Sequence, residues 1–274
     1  MPFEQGHTSA RYVPDIPPPV ATTRPPAVRF PAGACDCHAH IFGPPEPDRL
    51  LPNTHFRPHE TPLPDYLRML GVLGVHRAVL VQPSVYGTDN HLILRALASE
   101  PGRHRGVAVV DSAVSEHELD EMHALGVRGV RFNLVSPVGN GPEAFRALAP
   151  RLKARGWHVQ WYARADQLDT IASLHAGSGL TPVLDHLAGL HAGIGATDAA
   201  WAALQRLADQ GAWVKLSGWY RLQDAAPYDR LSAHIQRVAD TLGERLVWGS
   251  DWPHTTFQHD ALPPYASLWQ PVVQ

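Results

Sequence analysis

Gly33-Ala34-Cys35-Asp36-Cys37-His38-Ala39-His40-Ile41-Phe42 reads as a short buried strand that runs into a loop. Side chains alternate faces along a strand, so His38 and His40 are expected to project together where it ends. Two adjacent imidazoles can hold a metal or grip an anionic oxygen. Among 17 histidines a His-X-His pair also arises by chance, so the reading needs a second feature. Trp248-Gly249-Ser250-Asp251-Trp252-Pro253-His254 supplies it: another apolar strand, ending in a carboxylate.

Outward from these two segments the chain alternates between apolar strands and amphipathic helices. Strands are expected over 34–40, 76–82, 105–110, 127–133, 157–163, 181–186, 212–217 and 245–250. Helices are expected over 63–74, 89–100, 115–125, 142–155, 166–176, 197–210 and 228–242. Ala78-Val79-Leu80-Val81 and Trp213-Val214-Lys215-Leu216 have the composition of strands buried on both faces. Leu119, Met122 and Leu125 fall at helical spacing before Gly126, a natural stop. Eight strands alternating with helices predict an α/β (β/α)8 barrel. The rival is a doubly wound open sheet, whose dinucleotide-binding form lacks support because no Gly-X-Gly-X-X-Gly follows the first strand.

The chain has 274 residues, 44% hydrophobic, with a net charge of −3. That is enough for a sizeable core, and nothing in the balance of charge points to nucleic-acid or membrane partners. No apolar run approaches the roughly 18 residues of a membrane span. Residues 1–30, with Pro14, Pro17, Pro18, Pro19, Pro25 and Pro26, are expected to form a surface tail before a barrel domain over 31–274. Cys35 and Cys37 are the only cysteines; at i and i+2 they do not readily bridge, which fits a reducing cytoplasm. The long loop over 43–62 is expected to act as a lid over the active face.

Catalytic groups in such barrels gather where the strands end. The first strand offers His38 and His40, the second Gln82, Pro83 and Ser84, and the fourth Arg131 and Asn133. The fifth offers Trp161 and Tyr162 and the sixth Asp185 and His186. The seventh runs through Lys215 and Ser217 to Arg221, and the eighth ends at Asp251. An inert barrel does not need three histidines, an aspartate and two arginines on one rim. Each also has a structural reading: His186 as a strand cap, Arg131 in an ion pair, Ser84 in a turn, Tyr162 in the core.

These residues carry a resemblance. Asp36-Cys37-His38-Ala39-His40-Ile41-Phe42-Gly43-Pro44, Gln82-Pro83-Ser84-Val85-Tyr86-Gly87-Thr88-Asp89-Asn90 and Gly129-Val130-Arg131-Phe132-Asn133 come first. Asp185-His186, Lys215-Leu216-Ser217-Gly218-Trp219-Tyr220-Arg221 and Trp248-Gly249-Ser250-Asp251-Trp252-Pro253 follow. Together they resemble the amidohydrolase superfamily, in particular its amidohydrolase-2 branch of lactone hydrolases, which includes the 2-pyrone-4,6-dicarboxylate lactonases and relatives acting on sugar-acid and muconolactone-like compounds. The resemblance implies hydrolysis of a small carboxylated lactone. Asp251 would be the general base acting on water, and His38, His40 and His186 would surround the carbonyl. Ser84, Arg131, Tyr162 and Arg221 would hold substrate oxygens. Ester hydrolysis needs a deprotonated water and positive charge at the nascent oxyanion, and the planar fork of arginine suits carboxylates.

Several positions depart from the wider superfamily. Binuclear members carry a bridging Lys or Glu on the fourth strand and a His on the fifth; here those ends read Arg131-Phe132-Asn133 and Gln160-Trp161-Tyr162. That argues against two metals. One divalent metal such as zinc on His38, His40, His186 and Asp251 fits by ligand type, but no cofactor is the favoured expectation. The dicarboxylate lactonases carry a second arginine a few residues after Arg-Phe-Asn, whereas this chain continues Leu134-Val135-Ser136-Pro137-Val138-Gly139. A lactone with one carboxylate, or a sugar-acid lactone, therefore fits as well. About a score of residues follow Asp251, so the eighth helix is expected to be shortened or missing, exposing apolar barrel surface. Two competing readings stand beside the lactonase: a single-metal non-oxidative decarboxylase of the same branch, and a barrel that binds a carboxylated ligand without turnover.

Overall fold

The computed structural model describes residues 14–21, 24–26, 29–44, 50–52, 54–135, 140–255 and 265–273. Eight parallel strands lie side by side in chain order. They are β1 (Cys35–Ala39), β2 (Arg77–Val81), β3 (Arg105–Ala108), β4 (Val127–Asn133), β5 (His158–Tyr162), β6 (Pro182–Leu184), β7 (Trp213–Leu216) and β8 (Leu246–Trp248). The helices between them are α1 (Leu63–Leu73), α2 (His91–Ser99), α3 (Glu116–Leu125), α4 (Pro142–Ala154), α5 (Leu168–His175), α6 (Ala199–Asp209) and α7 (Ser232–Leu242), and α8 (Tyr265–Val273) follows β8. This is the (β/α)8 barrel that the alternation predicts.

Local chemistry sets the element ends. Ser115 starts α3 with a reciprocal cap: its hydroxyl accepts from Glu118 N at 3.1 Å, and Glu118 Oε2 accepts from Ser115 N at 2.7 Å. Gly126 ends the helix at φ 113, a conformation that costs glycine little. The buried faces of the helices meet outward-facing strand residues. Phe132 of β4 stacks on Trp161 of β5 at 4.8 Å and meets Phe145 of α4 edge-on at 6.0 Å.

The barrel closes just beyond β8. Asp251 N donates to His38 O and His40 N donates to Trp252 O, each at 2.8 Å. At this seam the alternation expected of the first strand fails. A register irregularity falls between Asp36 and Ala39. Asp36 turns to Tyr66 of α1, while His38 turns to Lys215 of β7.

The eighth helix is short, at nine residues, but it is present. The expectation of exposed barrel surface is corrected here: Leu268 is buried, and its carbonyl accepts from Trp219 Nε1 at 2.8 Å. Phe30 packs between Trp248 and Trp269, with ring centroids 4.9 and 4.1 Å away. Such aromatic side chains bury a large area each and offset the brevity of the helix.

Of the proline-rich segment, Pro14 and Ile16 pair with Arg57 through two backbone hydrogen bonds of 2.8 Å. In the 43–62 loop, Phe42 and Thr61 exchange backbone hydrogen bonds of 3.0 Å, and Phe56 joins Phe42, Val85 and Tyr86 in a small second core. Residues 45–49 and 53 of the expected lid lie outside the described residues, as do Ser136 to Gly139. Among the described residues no helix is long and apolar enough to cross a membrane.

Candidate active site

The strand ends bring His38, His40, His186 and Asp251 into one buried cluster. His38 Nε2 lies 3.2 Å from His40 Nε2, and each of these atoms is 3.7 Å from Asp251 Oδ1. His186 Nε2 is 4.0 Å from the same oxygen. Two close approaches make room for the rings. A Cβ on Gly249 would stand 2.6 Å from His38 Cβ, and one on Gly218 would stand 2.4 Å from His186 Nδ1. Asp251 itself sits at φ 55, a region that side chains rarely adopt outside sites that need it.

The two oxygens of Asp251 differ. Oδ2 accepts from Arg221 Nε at 2.8 Å and from the Tyr220 hydroxyl. Oδ1 is fully buried and, among the described residues, receives no hydrogen bond. Burial alone would raise the carboxyl pKa, but the Arg221 guanidinium outweighs it and holds the group well below the usual carboxylate range. Burial drives the imidazoles the other way: His40 is pushed down to about 3 and His186 to about 4, and His38 also falls well below its ordinary value. Arg221 is therefore the permanent charge that keeps Asp251 ionised beside three neutral rings.

Tyr162 ends β5 with its ring edge-on to His186 at 5.1 Å. The Arg131 and Arg221 guanidinium carbons lie 5.3 and 5.9 Å from its ring centre. Arg131 does form the ion pair of its structural reading: its Nε donates to Asp185 Oδ2 at 3.3 Å. Among the described residues only that nitrogen is engaged, which leaves the terminal fork for a ligand. Ser84 opens a short 3-10 turn after β2 and is half-buried. Among the described residues no hydrogen bond links it to this cluster.

Sequence reasoning gave no role to four neighbours. Asp185 accepts from Arg131 and also from Gln160 Nε2 at 3.1 Å. Lys215 lies beneath His38, and Tyr220 caps Asp251. Asp36 anchors the seam, accepting from Ser250 N at 2.9 Å, Ser250 Oγ at 2.6 Å, Tyr66 OH at 2.8 Å and His38 N at 3.1 Å. A lysine inside a strand buried on both faces was the available signal for Lys215, since such a charge persists only when paired.

A cavity of about 480 Å³ opens beside the cluster, lined in part by Tyr162, Arg164, His186, His191, Arg221 and Gln223. His186 and Arg221 belong both to this cavity's lining and to the surroundings of Asp251. Three of these donors, on His38, His40 and Asp251, would also suit one metal ion by type and spacing, and His38, Asp185 and His186 form a second such group. Zinc ligands at bond lengths of about 2.0–2.2 Å stand roughly 3.3–3.6 Å apart in a tetrahedron, close to the separations here, and the unpartnered Asp251 oxygen is what such an ion would take up.

The chain is similar to known proteins along most of its length. The amidohydrolase family pattern matches residues 35–268, and the chain belongs to that family. A 4-sulfomuconolactone hydrolase of Rhizobium radiobacter is 30% identical over 250 residues, spanning 88% of this chain and 84% of that one. A 2-pyrone-4,6-dicarboxylate hydrolase of Comamonas testosteroni is 30% identical over 251 residues, spanning 87% and 82%. The solved structure of a candidate 2-pyrone-4,6-dicarboxylic acid hydrolase from Pseudomonas putida is 35% identical, with a TM-score of 0.78 over 89% of this chain and 90% of that one.

Proposed function

We propose that this enzyme hydrolyses a carboxylated lactone, with Asp251 as the general base. The observation that carries the reading is Asp251 Oδ1: ionised, buried, without a hydrogen-bond donor, and facing three imidazole nitrogens at 3.7–4.0 Å. A water between that oxygen and the lactone carbonyl would lose its proton to the carboxylate as it attacks the carbon. The carbonyl oxygen gains negative charge, which a neighbouring imidazole N–H stabilises. When the intermediate collapses the ring C–O bond breaks, and the departing alkoxide takes the proton back from Asp251. The free fork of Arg131, backed by Arg221 across Tyr162, supports recognition of a substrate carboxylate. Ser84 is kept as a candidate contact from its place on the same rim. The lactones named for the relatives support this substrate class.

A divalent ion, where one binds, would be held by His38, His40 and Asp251 and would polarise the carbonyl as a Lewis acid. The reaction described above needs only the chain's own groups.

The test is a panel: 2-pyrone-4,6-dicarboxylate, a muconolactone, a sugar-acid lactone and an uncharged lactone, each assayed with and without chelator, with metal analysis of the same sample. Hydrolysis of the carboxylated members that survives chelation is the expected result. Carbon dioxide release that depends on bound metal would favour the decarboxylase, and no turnover of any lactone would remove the reading.

A further inference from the structure

Beneath the cluster three atoms stand nearly equidistant. Lys215 Nζ is 3.3 Å from His38 Nδ1 and 3.5 Å from Asp185 Oδ1, and those two atoms are 3.3 Å apart. Lys215 Nζ also donates to Gln160 Oε1 at 2.7 Å. All four side chains are buried. His38 Nδ1 thus has two rival neighbours, a donor and an acceptor. If the lysine donates to it, the ring proton sits on Nε2. If the ring donates to Asp185, Nε2 carries a lone pair.

The opposite edge of the ring decides between them. A carbonyl only accepts, so His40 Nδ1 must donate to Val81 O at 2.8 Å, and the neutral ring presents a lone pair at Nε2. That lone pair faces His38 Nε2 at 3.2 Å. Two lone pairs at this separation repel, whereas a proton on His38 Nε2 makes the contact a hydrogen bond. The lower edge allows it: the Lys215–His38 contact has hydrogen-bond geometry at 3.3 Å, and Lys215 also stands 3.5 Å from Asp185 Oδ1, so that oxygen has a cation beside it without taking the ring proton. One chain of donors then satisfies all four ring nitrogens of the pair, from Lys215 to His38 Nδ1, from His38 Nε2 to His40 Nε2, and from His40 Nδ1 to Val81.

We propose that Lys215 is a positioning residue that fixes the His38 proton on Nε2, making that nitrogen a donor, to His40 in the free enzyme and to the substrate oxygen when substrate displaces that contact, and withholding its lone pair from a metal ion. Only the identity of that oxygen rests on the lactone reading. The proton position and the metal affinity can be measured without any lactone.

The first readout is 15N NMR of histidine-labelled enzyme, with His38 assigned by the loss of its signals in His38→Gln. The wild type should show an unprotonated Nδ1 and a protonated Nε2. The second is calorimetric zinc titration of the wild type and Lys215→Met. Without the lysine, His38 Nδ1 turns to Asp185 and Nε2 becomes a ligand, so zinc should bind about 10–100-fold more tightly, the range typical of changes to a ligand's supporting partner. A residue of merely structural importance would lower stability without moving the proton or tightening zinc. A protonated Nδ1 in the wild type would overturn the proposal, as would unchanged or weaker zinc binding by folded Lys215→Met. If that variant fails to fold, the wild-type spectrum decides alone.

Discussion

Asp36 and Asp251 flank one seam of the barrel, and both are fully buried. Asp36 is saturated: Ser250, Tyr66 and the His38 backbone supply four donors at 2.6–3.1 Å. Asp251 is half satisfied, with Arg221 and Tyr220 on one oxygen and no donor on the other. The same chemical group serves two ends. A carboxylate whose acceptor sites are filled ties strands together, whereas one that keeps a bare oxygen in a buried pocket retains the capacity to take a proton from something else.

Exchanging the character of the two groups should separate their effects, with the largest expected at Asp251. Asp251→Asn keeps the shape but removes the base, so turnover should fall on the order of 10²–10⁴-fold with an unchanged thermal midpoint. Near wild-type turnover by the folded variant would make the bare oxygen incidental. Arg131→Met should cost about 2–5 kcal/mol in binding carboxylated lactones and much less for neutral ones. A steady-state comparison of KM for a charged and an uncharged lactone checks it. Equal losses would assign Arg131 to Asp185 alone. Asp36→Ala should do the reverse of Asp251→Asn. It strands buried donors and should cost about 2–4 kcal/mol of stability, while the protein that stays folded keeps its kcat at low temperature. Chemical denaturation together with an assay on the same preparation tests both halves.

A smaller effect follows from the histidines outside the cluster. Burial pushes His158 and His175 down to about 4. His175 shows why: Nδ1 lies 3.1 Å from Leu180 O, while Nε2 accepts from Trp161 Nε1 at 2.8 Å, so a further proton has no place. The unfolded chain takes up protons near pH 6.5 that the folded chain refuses until about pH 4. Their contribution to stability is therefore full above about pH 6.5 and declines as pH falls towards about 4. The urea midpoint should fall between about pH 7 and pH 5, and a constant midpoint would contradict the assigned burial.

The barrel was legible because eight apolar runs alternate with amphipathic helices, and the rim followed from strand ends alone. His38, His40, His186, Asp251, Arg221 and Tyr162 meet where that logic puts them. The pairings were not legible. Arg131 with Asp185 and His38 with Lys215 join residues 54 and 177 positions apart, and no local pattern encodes such a contact. The irregularity between Asp36 and Ala39 breaks the period of two that strand reasoning assumes, so the saturated carboxylate beside His38 could not be told from an inward-facing one.

On the proposed mechanism an ionised Asp251, among neutral imidazoles, is the base. The pH dependence of kcat/KM reads the ionisation of the free enzyme's essential base directly. With a carboxylated lactone that stays ionised throughout, kcat/KM should hold level from about pH 8 down to about pH 5, because burial keeps the rings neutral and Arg221 keeps the carboxylate charged. An acid limb near pH 6.5, the ordinary histidine value, would show that an imidazole takes the proton and would contradict the account.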